Sequence, residues 1–202
     1  MSEEYQYDIV VVGGGPAGSS AAWAAAKNGI KVALIEKESS IAETVRTSGV
    51  TWIQNIKEFG IPDDCFNPIK NFSFCSPNNE VTISDSVPKA AVLDVRKTYR
   101  WLATEAEKEG VDIFIKTSIN NVIKNDNGDI VGVTGTGPKG EIIFHSKIII
   151  DATGFSSTIC KAMGFATQWE RFGAGAEWEV KAEHVDSETW WLMVGQQYSP
   201  AG

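Results

Sequence analysis

Residues 7–38, YDIVVVGGGPAGSSAAWAAAKNGIKVALIEKE, leave little freedom in how this chain begins to fold. Ile9, Val10, Val11 and Val12 form a short continuous apolar run, the pattern of a strand buried on both faces of a parallel sheet. The chain then turns through Gly13-Gly14-Gly15-Pro16-Ala17-Gly18 into an alanine-rich segment of high helix propensity, which exits at Asn28-Gly29. A second apolar run, Val32 to Ile35, ends on Glu36. Gly13, Gly15 and Gly18 stand at G-x-G-x-x-G spacing. Gly13 permits the tight turn, Gly15 lets backbone approach a pyrophosphate, and Gly18 lets the helix pack on the strand. The first helical N–H groups, with the positive end of the helix dipole behind them, then face the diphosphate. Glu36 is placed to accept hydrogen bonds from a ribose diol, and an acid there suits an unphosphorylated ribose, as in FAD or NAD. Glycine spacing alone is a weak signal. Strand, helix, strand and terminal acid in register distinguish it from an ordinary strand–helix crossover.

The 202 residues suffice for one domain with a real core, or one domain and part of another. A net charge of −8 without any basic cluster argues against nucleic-acid binding. The N-terminus is acidic and polar, unlike a secretory signal, and no apolar run approaches the roughly 20 residues of a membrane span. Cys65, Cys75 and Cys160 are scattered and His145 and His184 isolated, so neither a metal site nor a disulfide framework is expected. These features together give a cytoplasmic reading.

Further along, Trp52, Ile53, Ile56 and Phe59 have the spacing of an amphipathic helix closed by Gly60. The preceding Val45-Arg46-Thr47-Ser48-Gly49 admits two roles: a cation and hydroxyls beside a bound cofactor, or an N-terminal cap for that helix with Arg46 solvated. Residues 71–84 read as a hairpin turning at Ser76-Pro77-Asn78-Asn79, an excursion from the nucleotide domain. Asp94 can cap a helix with Tyr99, Leu102, Ala103 and Ala106 on one face. Arg96 and Arg100, near its start, read as solvated charges before ligands. Val111–Ile115 continues the parallel sheet, and three strands at hairpin spacing, 119–123, 130–133 and 141–144, make an antiparallel meander. A last buried strand, Ile148 to Ile150, runs into Asp151-Ala152-Thr153-Gly154, which puts bare backbone at the ligand-binding edge of the sheet. From Thr167 the chain turns to aromatic runs containing Trp169, Phe172, Trp178, Val180, Trp190, Trp191 and Leu192. They read as sheet core before an apolar substrate pocket. Tyr198 to Gly202 reads as a turn.

This order of parts resembles the glutathione-reductase-type FAD fold in its hydroxylase-like branch, and within it the geranylgeranyl reductase family. The likeness runs over essentially the whole chain. It rests on the glycine fingerprint with Glu36, on the meander followed by Ile-Ile-Asp-Ala-Thr-Gly, and on Arg46-Thr47-Ser48-Gly49. The last is similar to a basic-x-Cys-Gly segment beside the flavin, with Ser48 where cysteine is common. The resemblance implies diphosphate contacts from Gly15, Pro16, Ala17 and Gly18, after the turn at Gly13. It implies ribose-side contacts from Glu36 and Lys37, and flavin-side contacts from Arg46, Ser48 and Gly49. It also implies an arginine near the cofactor at Arg96, an adenine-side backbone contact at Ile119, and contacts from Ala152 and Gly154. The hydroxylases of this branch carry Asp-Gly-x-x-Ser-x-x-Arg after the last strand. Here Ser157 matches, the acid and the arginine are absent, and the hydroxylase reading is lowered. The family's later aromatic motif and ribityl-binding Gly-Asp segment are absent too, so the resemblance implies an N-terminal fragment with an incomplete flavin cage.

The expected fold class is α/β: a Rossmann-like FAD-binding domain with a parallel sheet and an antiparallel meander, at 1–70 and 88–166. Part of an inserted antiparallel-sheet substrate domain is expected at 71–87 and 167–202. The function implied is an FAD-dependent oxidoreductase that reduces double bonds of a prenyl (isoprenoid) lipid or other apolar substrate by hydride transfer from reduced flavin. NAD(P)H or another reductant would supply electrons, and the lipid implies transient contact with a membrane surface. A flavin-dependent monooxygenase or halogenase is the alternative, and a nucleotide-binding fragment inactive alone is another. No residue is assigned as catalytic acid or base.

Overall fold

The computed structural model describes residues 2–165, 173, 175–178 and 180–198. The expected aromatic run at Trp169 and Phe172, and positions 199–202 of the closing turn, lie outside the described residues.

In chain order the first elements are β1 (Glu3–Gln6), β2 (Ile9–Val12), α1 (Pro16–Ala26), β3 (Val32–Ile35), β4 (Val50–Trp52) and α2 (Ile53–Phe59). There follow β5 (Phe66–Ile69), β6 (Asn71–Ser76), β7 (Asn79–Ser84), β8 (Ala90–Leu93), α3 (Val95–Lys108) and β9 (Asp112–Phe114). The meander strands are β10 (Ser118–Lys124), β11 (Ile130–Gly137) and β12 (Gly140–His145). The last are β13 (Ile148–Asp151), α4 (Thr158–Ala162) and β14 (Thr189–Met193). The chain divides into two compact units, Met1–Val45 with Tyr99–Ala174, and Arg46–Thr98 with Gly175–Gly202.

The first unit holds a parallel sheet in the order β13-β2-β3-β9 and a second sheet in the order β1-β12-β11-β10. In the first sheet Val11 lies opposite both Leu34 and Ile150. Successive residues of a strand point to opposite faces, so the continuous apolar runs of β2 and β3 serve two cores. Val10, Val12, Ala33 and Ile35 pack with Ile119, Val133, Ile142 and Phe144 of the meander. Ile9, Val11, Val32 and Leu34 pack with Ala22 and Ala26 of α1 and with Ala106 of α3. The small helix residues let both helices lie close to the sheet.

The polar N-terminus is itself structured. β1 runs parallel to β12, and Tyr5 stacks on Phe144 at 5.4 Å between ring centroids.

The second unit has two three-stranded sheets, β4-β8-β5 and β14-β6-β7. The expected hairpin is β6-β7, joined at register Ser76↔Asn79. On one face, Trp190, Phe72 and Ile83 form one cross-strand row and Leu192, Phe74 and Val81 the next. Trp190 meets Phe72 and Phe74 edge-on, at 6.0 and 6.4 Å. Core filling holds for that tryptophan only in part: Phe74, Val81 and Ile83 beside it are exposed, as are Trp178 and Trp191.

Two sequence expectations are corrected here. The Arg46–Gly49 turn does not cap a helix, because it leads into β4, and α2 starts at Ile53 behind Trp52 without a side-chain cap. Trp52 is a strand residue, 60% exposed, and Ile56 is the buried residue of α2. The reason is tertiary: β4 pairs with β8, residues 90–93, and no local periodicity announces so distant a partner.

Candidate functional site

The glycine turn is shaped by what surrounds each glycine. Gly13, at φ +110°, donates its N–H to the Ile35 carbonyl at 2.8 Å. A Cβ at Gly18 would lie 1.8 Å from the Gly13 carbonyl oxygen, so α1 sits directly on the end of β2. Gly14 is constrained as well: a Cβ there would lie 2.4 Å from Ile41 Cδ1 and 3.0 Å from Glu36. Gly15 alone in this turn faces open space, with no protein atom within 4 Å of a Cβ built on it. Pro16 starts α1, where its missing N–H costs nothing, and the buried Ser19 hydroxyl donates to the Gly14 carbonyl at 3.2 Å.

The turn therefore fits the diphosphate of a dinucleotide. Glycine stands where protein packs against it, and again at Gly15, where no protein atom requires it and where a phosphate would have room to approach the main chain.

Glu36 is part of the scaffold. Its Oε2 accepts the Gly14 N–H at 2.8 Å and its Oε1 accepts the Glu38 N–H at 2.9 Å. Each carboxylate oxygen keeps a further lone pair, so ribose hydroxyls can still donate to it. Lys37 is exposed beside Glu38, at 4.0 Å. Arg100 of α3 is exposed, as expected of a helix charge, yet it is also anchored: it donates to the Ile41 carbonyl at 3.2 Å and to Ser40 Oγ at 3.3 Å. It thereby ties down the loop whose Ile41 packs against Gly14.

The end of β13 completes this edge. A Cβ on Gly13 would lie 2.3 Å from the Ala152 carbonyl oxygen, and Gly154 is exposed at φ +62°. The Ile119 side chain is buried in the core, which leaves its main chain for any contact. Gly13, Gly15, Pro16, Ala17, Gly18, Glu36, Lys37, Ile119, Ala152 and Gly154 all belong to the first unit.

Arg46, Ser48, Gly49 and Arg96 belong to the second. Arg46 and Ser48 are exposed and Arg96 is half-buried. Gly49 is buried at φ +76°, and a Cβ there would lie 2.8 Å from both the Leu93 carbonyl and Val95 Cγ2. Packing within the unit is thus sufficient reason for a glycine at that position.

Sequence reasoning assigned no role of their own to Gly14, Ile41 and Asp151, and read Arg100 as a solvated charge before a ligand. The Asp151 carboxylate accepts from Thr153, Ile159 and Cys160. Burial pushes Asp151 up, but the hydrogen bonds from Thr153 and Cys160 outweigh it and hold the carboxyl below its usual range. An acid just before a turn that re-enters a helix was the available signal.

The chain matches the family model described as FAD dependent oxidoreductase over residues 8–192. A digeranylgeranylglycerophospholipid reductase of Methanocaldococcus jannaschii is 32% identical over 203 residues, 97% of this chain and 51% of that protein. A Methanosarcina barkeri relative named "Uncharacterized protein in nifH2 5'region" is 34% identical over 82% of this chain and 92% of its own length. A geranylgeranyl bacteriochlorophyll reductase-like structure from Thermoplasma acidophilum superposes with a TM-score of 0.77 at 26% identity, over 95% of this chain and 51% of that one. The chain thus spans about half the length of the curated reductases it matches. With a glycine turn open only at Gly15, a paired acid on the next strand and a match over residues 8–192, the chain belongs to the FAD dependent oxidoreductase family.

Proposed function

We infer that this chain serves the reduction of double bonds in a prenyl lipid or similar apolar molecule, with FAD as its cofactor. The observation that carries this reading is the 32% identity to a digeranylgeranylglycerophospholipid reductase over 97% of the chain. The exposed apolar face of the β14-β6-β7 sheet agrees with it, since Phe74, Val81 and Ile83 offer an apolar substrate a dry surface.

Gly13, Gly15, Pro16, Ala17 and Gly18 would hold the diphosphate, with Glu36 and Lys37 on the ribose side and the Ile119 main chain toward the adenine. Ala152 and Gly154 would back the cofactor from β13. Arg46, Ser48, Gly49 and Arg96 would serve the flavin side. Bound there and reduced by NAD(P)H or another donor, FAD would supply the hydride for one carbon of the double bond, with a proton from water completing the other. The chain's own residues would bind and orient, and none of them is assigned as an acid or base. The domain reading proposed is FAD binding at 1–70 and 88–166 and part of a substrate domain at 71–87 and 167–202. The site of action proposed is the cytoplasmic side of a membrane, with peripheral contact. Among the described residues no helix is long and apolar enough to cross one.

The test is the absorbance spectrum and released cofactor of the purified chain, followed by anaerobic assay with an unsaturated prenyl phospholipid. Bound FAD and saturation of the lipid support the reading. Oxygen consumption coupled to NAD(P)H oxidation, with no saturation, replaces it by a monooxygenase. FAD or ADP binding without any turnover reduces it to a nucleotide-binding module.

A further inference from the structure

β13 ends on an acid that the glycine fingerprint does not use. Asp151 Oδ1 accepts the Thr153 N–H at 3.1 Å and the Thr153 hydroxyl at 2.7 Å. Its Oδ2 accepts the N–H groups of Ile159 and Cys160, both at 2.9 Å. Thr153 Oγ1 accepts in turn from the Thr158 N–H at 2.8 Å. An ionised carboxylate has about four acceptor sites, so these donors leave none over. Asp151 is therefore unavailable as a ligand to ribose or flavin, or as a base, unless the loop opens.

The loop gathered around this carboxylate is the one on which the glycine turn rests. A Cβ on Gly13 would lie 2.3 Å from the Ala152 oxygen, 2.6 Å from its carbonyl carbon and 3.0 Å from the Thr153 nitrogen. The Ala152 N–H donates to the Val12 carbonyl at 2.8 Å, the last main-chain tie before the turn. Gly13 therefore packs on the Ala152–Thr153 peptide, and the Thr153 end of that peptide is oriented by Asp151.

We propose that Asp151 is a positioning residue for cofactor binding: its carboxylate locks Ala152–Gly154 beneath the Gly13–Gly18 turn and so sets that turn's affinity for a dinucleotide diphosphate. This rests on the reading that the turn holds the diphosphate. Replacement by asparagine keeps the shape but turns an amide N–H toward one pair of donors, leaving them unpaired.

The experiment compares the full chain with D151N, D151A, T153V and T153S. ADP and FAD affinities are measured by calorimetry, folding by far-ultraviolet circular dichroism, and loop order by amide exchange at Ile159 and Cys160. Wild type and T153S bind ADP alike. D151N and D151A bind it at least tenfold more weakly, with faster exchange at Ile159 and Cys160 and an unchanged circular dichroism spectrum. T153V, which removes the hydroxyl and keeps the acid, loses about fivefold. The proposal is overturned if D151N binds ADP within twofold of wild type while those amides exchange faster. It is overturned too if the loop amides keep their protection in D151N. Should both Asp151 variants unfold, T153V decides: wild-type affinity in T153V overturns the proposal, and a loss restored in T153S supports it. Failure of wild type to bind either ADP or FAD removes the diphosphate reading itself, and the proposal with it.

Discussion

Gly18→Ala and Gly15→Ala separate what protein packing demands of the turn from what a ligand demands. At Gly18 the added Cβ would stand 1.8 Å from the Gly13 carbonyl oxygen, 3.1 Å from its carbon and 3.1 Å from Ala152 Cβ. The obstacle is main chain and has no rotamer to move to, so α1 must lift from β2 by about 1.5 Å to restore ordinary contact. Overpacking of this kind costs about 1–3 kcal/mol, or roughly 3–10 °C in melting temperature for a chain of this size. At Gly15 the added Cβ meets no protein atom within 4 Å, and φ −69°, ψ −177° is extended backbone that alanine adopts freely. Replacing glycine by alanine at the N-cap costs about 0.5–1 kcal/mol, and the stiffer unfolded chain returns about 0.4–1 kcal/mol, so the net change stays within about 0.5 kcal/mol. The expected result is a lowered melting temperature for G18A and an unchanged one for G15A, with ADP affinity falling at least tenfold in G15A. Thermal melts by circular dichroism and calorimetric titration with ADP read the two effects separately. Wild-type ADP affinity in G15A, or a wild-type melting temperature in G18A, would refute the division.

Three further outcomes follow from the same geometry. Phe144→Ala should cost about 3–5 kcal/mol in urea unfolding, because Phe144 is fully buried among Tyr5, Tyr7 and Phe114. Asp94→Ala should cost about 1 kcal/mol, since Asp94 Oδ1 caps α3 through the Lys97 N–H at 2.9 Å; a D94A melt equal to wild type would remove that cap from the account. Asp151, held below the ordinary carboxylate range, contributes stability that is fully present above about pH 4 and is lost as pH falls through its depressed value. An acid titration of unfolding should therefore show a smaller loss below pH 4 in D151N than in wild type.

Much of the first unit was legible in the sequence because its signals are local. The runs Ile9–Val12 and Val32–Ile35, the glycine turn between them and the two-residue hairpin at Gly137↔Gly140 each declare themselves within a few residues. The hairpin of residues 71–84 was readable for the same reason. The β4-β8-β5 sheet was not, since its strands are three or four residues long and one carries Pro68, which reads as a breaker. Glu3–Gln6 was not read as a strand, because only the face holding Tyr5 offers an apolar residue and its partner β12 lies over 130 residues away.

The sequence by itself determined that this chain begins as a dinucleotide-binding α/β unit, because strand, turn, helix, strand and acid are consecutive and closing so short a loop costs little entropy. Tertiary structure alone decided what each residue at the site is for. Glu36 grips Gly14, Gly49 is glycine for want of room beside Leu93, Arg100 holds a loop 59 residues away, and Asp151 gathers the loop on which the turn rests. Such contacts arise only once the sheet is assembled, since a carboxylate or guanidinium takes whichever donors and acceptors the packed core brings within reach.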